Sequence, residues 1–174
     1  MSNHTTRPLA LGMTVLGGLA RMSQNLNFAP VGAISLFAGA RLRGWQAYAL
    51  PIILMLVTDP FLGGYSFATP FVYASFLINV WIGSRLRQTE NPALIGGAAL
   101  FGSVQFFLLS NFGTWLAPHG YPHTVGGLAA CFAAALPFLR HTAIADLFYT
   151  AVMFGVHALL SRTVVRSERV AAIA

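Results

Sequence analysis

A near-absence of charge limits what this chain can become. Ten basic and four acidic side chains are spread over 174 residues, 8% of the total, while 56% are hydrophobic. Soluble domains carry roughly a quarter charged residues. A surface this poor in charge does not stay dispersed in water. Disorder is excluded by the same balance, because it requires low hydrophobicity and high charge. The mean hydropathy of +0.69 leaves an integral membrane protein.

The formal net charge of +6 comes from arginine alone, with no lysine in the sequence. The arginines stand singly or in pairs between apolar runs, so there is no basic face for nucleic acid. Cys131 is the single cysteine, which excludes an internal disulfide and a cysteine-only metal cluster. Residues 9–20 have the length of a signal-peptide core. Arg21 follows at once without a polar mature domain, so they read as a short first span.

Apolar segments bounded by charge, Pro and Asn predict helices over 8–21, 28–41, 46–63, 70–85, 92–116 and 142–161, plus a shorter apolar stretch over 125–139. Pro8, Pro70 and Pro92 fall in first turns, where a missing N–H costs nothing, and Asn91 is placed to cap. A span needs about 20 apolar residues, so 125–139 reads as a partial or re-entrant segment. With six spans, Arg7, Arg41, Arg43, Arg85, Arg87, Arg162, Arg166 and Arg169 share one side; seven would split them. The excess of Arg makes that side cytoplasmic, with both termini in. The expected fold is an all-α polytopic membrane bundle, six transmembrane helices plus the partial segment, as one domain over residues 1–174. Small residues four apart, at Ala10, Thr14 and Gly18, at Ala29 and Ala33, and at Ser35 and Gly39, permit close helix packing.

The other side is chemically richer. Its loops and helix ends supply Arg21, Asn25, Asn27, Asp59, Tyr65, Phe67, Thr69, Asn111, Trp115, His119, His123, Arg140 and Asp146. Two acids in or beside apolar segments are costly in a bilayer, and Arg21 and Arg140 are the available counter-ions. Two readings stand: ion pairs and aromatic belts that tie helix ends together, or an outward-facing cavity for a small solute. His119 and His123 are four apart, but Gly120 and Pro122 argue against the helix that would aim both at one metal. Asn79 and Gln105 lie mid-helix and read as an interhelical hydrogen bond; His157 and Cys131 read as packing residues. No catalytic motif is present, so neither an enzyme nor a cofactor is expected.

Several blocks carry a resemblance. Residues 27–33 with 36–40, Asp59-Pro60-Phe61-Leu62-Gly63, residues 110–116 and Ala135-Leu136-Pro137-Phe138 resemble an uncharacterised family of small bacterial membrane proteins. The layout is also similar to the substrate-binding S components of energy-coupling-factor vitamin transporters, including the solitary cobalamin transporters. That resemblance implies an inner-membrane location and a ligand site on the outer side for a vitamin such as cobalamin. It also implies uptake driven alone or by a separate energising module. The cobalamin transporters carry a metal-ligating Cys between helices 3 and 4, where this chain has Phe67. The S-component docking pattern of two alanines falls here at Ala29 and Ala33, on the second segment rather than the first. The thirteen outer residues are then the ligand-binding set. A small membrane enzyme of lipid or quinone chemistry and a non-catalytic assembly subunit are the alternatives.

Overall fold

In an apolar environment each backbone N–H and C=O must be satisfied within the element that carries it, which favours helices throughout. The computed structural model describes residues 3–23, 30–87 and 89–171. Among these, six α-helices form: α1 (Asn3–Ala20), α2 (Val31–Arg41), α3 (Gln46–Thr58), α4 (Thr69–Ser84), α5 (Pro92–Trp115) and α6 (Val125–Ala171). Short 3-10 turns follow α1 at Arg21–Ser23 and α3 at Asp59–Phe61. Local chemistry explains several boundaries. Asn91 Oδ1 accepts from the Ala93 N–H at 2.9 Å, with Pro92 opening α5. Gly44, at φ 66°, makes the reversal between α2 and α3.

Successive helices alternate in direction. α1 and α3 run the same way, joined at one end by Arg7 donating to Gln46 and at the other by Arg21 with Asp59. α4 and α5 are antiparallel, Phe71 meeting Phe112 and Asn79 meeting Gly102. α5 and α6 are antiparallel too, with Cys131 Sγ donating to Asn111 O and Leu147 beside Gly96. α2 runs parallel to α6, Gly32 against Asp146 and Phe37 against Phe154. One end of the bundle therefore carries Arg7, Arg41, Arg43, Arg85, Arg87, Glu90 and Arg162. The opposite end carries Arg21, Asp59, Tyr65, Trp115, His119 and His123.

α2 is the centre of the bundle. Nine of its eleven residues are buried, and it packs on all five other helices. Its approach to α4 is backbone on backbone. A Cβ on Gly39 would overlap Val80 O, and a Cβ on Gly83 would overlap Leu36 O, so each helix offers the other a glycine at the crossing. Around this contact Ile34, Leu36 and Phe37 meet Ala10, Ala47, Val80, Ile95, Ala99 and Phe154 in one core.

The C-terminal region differs from the sequence expectation. Instead of a partial segment over 125–139 and a helix over 142–161, α6 is continuous for 47 residues, about 70 Å at 1.5 Å per residue. Pro137 lies inside it without ending it. Its missing N–H removes one helical bond, and His141 Nδ1 donates to Pro137 O at 2.9 Å. Arg140 and His141, which read as a boundary, are exposed side chains on an uninterrupted helix. α1 likewise begins at Asn3, with Pro8 inside it, and α3 stops at Thr58 where the 3-10 turn takes over. α5 and the first 39 residues of α6 are long and apolar enough to cross a membrane, and only 28% and 33% of their apolar windows are buried.

Gly39→Ala and Gly83→Ala each push a methyl into a backbone contact. Each is expected to cost about 2 kcal/mol or more, read as a fall in the unfolding midpoint of the detergent-solubilised protein. Gly97→Ala, whose Cβ meets nothing within 4 Å, should leave the midpoint unchanged or raise it.

Candidate functional site

Three helix ends converge on one polar cluster opposite the arginine-rich end. Arg21 opens the turn after α1, Thr58 ends α3, Asp59 opens the next turn, and Tyr73 comes from the start of α4. Arg21 Nη2 lies 2.7 Å from Asp59 Oδ1, with the two side chains 16% and 10% exposed. Arg21 Nη1 donates to Thr58 Oγ1, and Thr58 Oγ1 donates in turn to Leu54 O at 2.8 Å. Tyr73 OH donates to Asp59 Oδ2 at 2.5 Å. Both carboxylate oxygens are therefore engaged, one by a cation and one by a phenol. Charge-assisted bonds of this kind are about twice as strong as neutral ones.

Aromatic side chains lie at the same end of the bundle. Tyr65 OH donates to Leu56 O at 2.9 Å, and Phe67, two residues on, is exposed. Thr69 Oγ1 accepts from the Ser66 N–H at 2.8 Å, which fixes the turn that opens α4. Across the same end, Trp115 Nε1 donates to Pro122 O at 3.0 Å and His123 stands edge-on to its ring at 5.5 Å. His123 Nε2 donates to Ala117 O at 3.3 Å, so the two side chains close the 116–124 loop on itself. His119 is exposed on that loop. Asn111 turns back on its own helix, Nδ2 donating to Phe107 O at 2.8 Å. Asn25 and Asn27 lie outside the described residues.

Arg140 and Asp146 part company. Six positions along a helix turn the side chain through 240°, so the two cannot share a face. Arg140 is exposed, while Asp146 is 3% exposed in the bundle interior. Asp146 accepts from Ser103 Oγ at 2.6 Å and from the Ala33 N–H. A Cβ on Gly32 would overlap its carboxylate. The acid thus caps the N-terminus of α2 from a different helix, where Pro30 offers no side-chain cap of its own. The expected Arg140–Asp146 pair is replaced by this arrangement, and neither residue joins the Arg21–Asp59 cluster.

The mid-helix amides do meet: Gln105 Nε2 donates to Asn79 Oδ1 at 3.0 Å and to Ser75 O at 2.9 Å. His157 packs edge-on against Phe37 at 5.4 Å, and Cys131 is buried. Tyr73, Thr58 and Ser103 are the participants that sequence reasoning passed over. Each is an uncharged residue in an apolar run whose role depends on a partner at least 14 positions away or on another helix. Among the described residues no group of three His, Cys, Asp or Glu side chains is placed to hold a metal ion.

The chain belongs to a family of unknown function, DUF6580, whose model matches residues 2–169. Nothing matches among curated proteins or solved structures.

Arg21→Ala leaves the Asp59 carboxylate largely buried without its cation and is expected to cost about 3 kcal/mol. The Arg21→Ala, Asp59→Ala double variant should recover part of that loss, because no uncompensated charge remains. A double-mutant cycle of unfolding free energies in detergent checks both expectations.

Proposed function

We propose that this is a six-span protein of the bacterial inner membrane, with both termini cytoplasmic, that captures a small vitamin-like solute from the outer side. The Arg21–Asp59–Tyr73 cluster forms the floor of the site, and Tyr65, Phe67, Trp115 and His123 form its aromatic rim. Asn25 and Asn27 follow Arg21 closely in sequence. The Arg21 guanidinium meets an anionic group of the solute, Asp59 and Tyr73 orient its donors and acceptors, and the rings stack on its planar part. Energy for release to the inside comes from a separate module, as in the S components that the layout resembles, or from the solute gradient.

The observation that carries this reading is the contrast between the two ends of the bundle. Among the described side chains, one end holds seven charged residues, six of them arginine. The other combines one Arg–Asp pair with Tyr, Trp and His side chains. Excess Arg belongs at the cytoplasmic face. A restrained charge pair ringed by aromatics belongs where a solute is recognised. The alternating helix directions are those six spans require, and two helices are apolar enough to cross on their own.

Orientation is read by cysteine labelling, because the native Cys131 is buried. A membrane-impermeant maleimide should label Ser66→Cys on intact cells and Thr163→Cys only after permeabilisation. The reverse pattern overturns the topology.

Solute capture is tested by a thermal-shift screen of the purified protein against vitamins, cobalamins and nucleobases. A true ligand at a hundredfold excess over its Kd adds about 2.7 kcal/mol, and Tyr73→Phe should weaken the shift. A folded protein that responds to none of these solutes, or a shift that Tyr73→Phe and Asp59→Asn leave intact, removes this function.

A further inference from the structure

At the arginine-rich end, α5 and α6 part around a cavity of about 520 Å³. Ligand sites run from about 300 to 1,000 Å³. Its walls are apolar, built from Pro92 and Ile95 of α5 and from Leu147 and Phe154 of α6. Glycine makes the room. A Cβ at Gly155 would meet nothing within 4 Å, and one at Gly96 only Leu147 at 3.8 Å.

Three polar groups interrupt the apolar wall. Arg41, the last residue of α2, stands with its guanidinium 5.0 Å from the centre of the Phe154 ring. Its Nε is buried without a hydrogen-bond partner, and its Nη1 donates to Arg87 O at 3.5 Å. Glu90 lines the same cavity close enough to attract Arg41 through space, while its ion pair is with Arg162 at 3.9 Å. Thr150 also lines the cavity, is 2% exposed, and leaves Oγ1 unpartnered.

The order of these groups is the order of groups along a phospholipid. Thr150 lies one helical turn from Phe154, about 6 Å, on the side towards the bundle centre. From the end of the bundle inwards there come a cation with an anion, then hydrocarbon. A guanidinium suits a phosphate. Glu90 disfavours a purely anionic headgroup and rewards one that also carries a hydrogen-bonding cation.

We propose that this cavity binds an amine-bearing zwitterionic phospholipid of the phosphatidylethanolamine type. The phosphate lies on Arg41 and the ammonium on Glu90. An acyl chain runs past Ile95 and Leu147. The proposal rests on the membrane placement of α5 and α6 and is independent of solute capture at the opposite end.

The test uses the full chain, delipidated in detergent and offered phosphatidylethanolamine, phosphatidylcholine or phosphatidylglycerol of identical acyl chains. Retained lipid is read by native mass spectrometry. Phosphatidylethanolamine should be retained about tenfold better than either competitor, the scale of one charge-assisted hydrogen bond. Glu90→Gln should bring the ethanolamine-to-glycerol ratio close to one. Arg41→Gln should abolish retention. If that variant does not fold, the Glu90 variant decides, because Glu90 is exposed and its replacement leaves the core intact. Equal retention of the three lipids, no retention of any, or a preference that Glu90→Gln leaves unchanged overturns the proposal. A solute response in the screen at the other end alters none of these ratios.

Discussion

A short helix buried at both ends sets the terms for this structure. α2 has eleven residues, about 17 Å of helix, and its termini lie inside the bundle rather than in water. The first four N–H and last four C=O groups of any helix lack internal partners. At the N-terminus of α2 the partner is Asp146, reaching over from α6. At the C-terminus Arg87 Nε donates to Gly39 O at 3.3 Å from the turn after α4. Acid meets the positive end of the helix dipole and base meets the negative end, the signs that stabilise. Both partners are remote in sequence, so α2 is satisfied only when α4 and α6 are already in place. The glycine crossing with α4 and the close seat of Gly17 against Ile34 follow from the same demand for a thin, tightly wrapped central helix.

Polar chemistry outside that centre is divided between the two ends. At one end a single Arg–Asp–Tyr group ties α1, α3 and α4 together. At the other the arginines mostly spread outwards, Arg85 lying over the Trp81 ring at 4.6 Å. Trp45 and Trp81 are exposed at that end, and Tyr65 with the half-buried Trp115 lies at the opposite end. Between these two sets the outward faces are mainly Leu, Phe, Val and Ile, broken by the exposed Arg140 and His141 of α6, while other polar side chains are turned inwards. Gln105 with Asn79 is the clearest case.

Much of this was legible in the sequence because it depends on local chemistry. Asn91 followed by Pro92 announces a helix start, and Asn91 does cap it. A lone acid and a lone arginine beside successive apolar runs, Asp59 and Arg21, find each other for want of alternatives. Asn79 and Gln105 pair because a buried amide has nowhere else to turn. The failures are equally physical. Arg140 and His141 look like a loop, yet a helix backbone continues wherever its own hydrogen bonds outweigh two polar side chains. Arg140 and Asp146 look like a pair when separation is counted in residues, and stop looking like one when it is counted in degrees around a helix. The cap on α2 and the gap between α5 and α6 depend on three-dimensional neighbours, so no window along the chain reveals them.

The length of α6 has a mechanical consequence. The hydrocarbon layer of a bilayer is about 30 Å thick, and a 47-residue helix is more than twice that. α5 begins beside residues 150–158 of α6, and Ser161, one turn further on, is still buried. A helix longer than the layer it crosses must tilt or carry an end beyond the hydrocarbon.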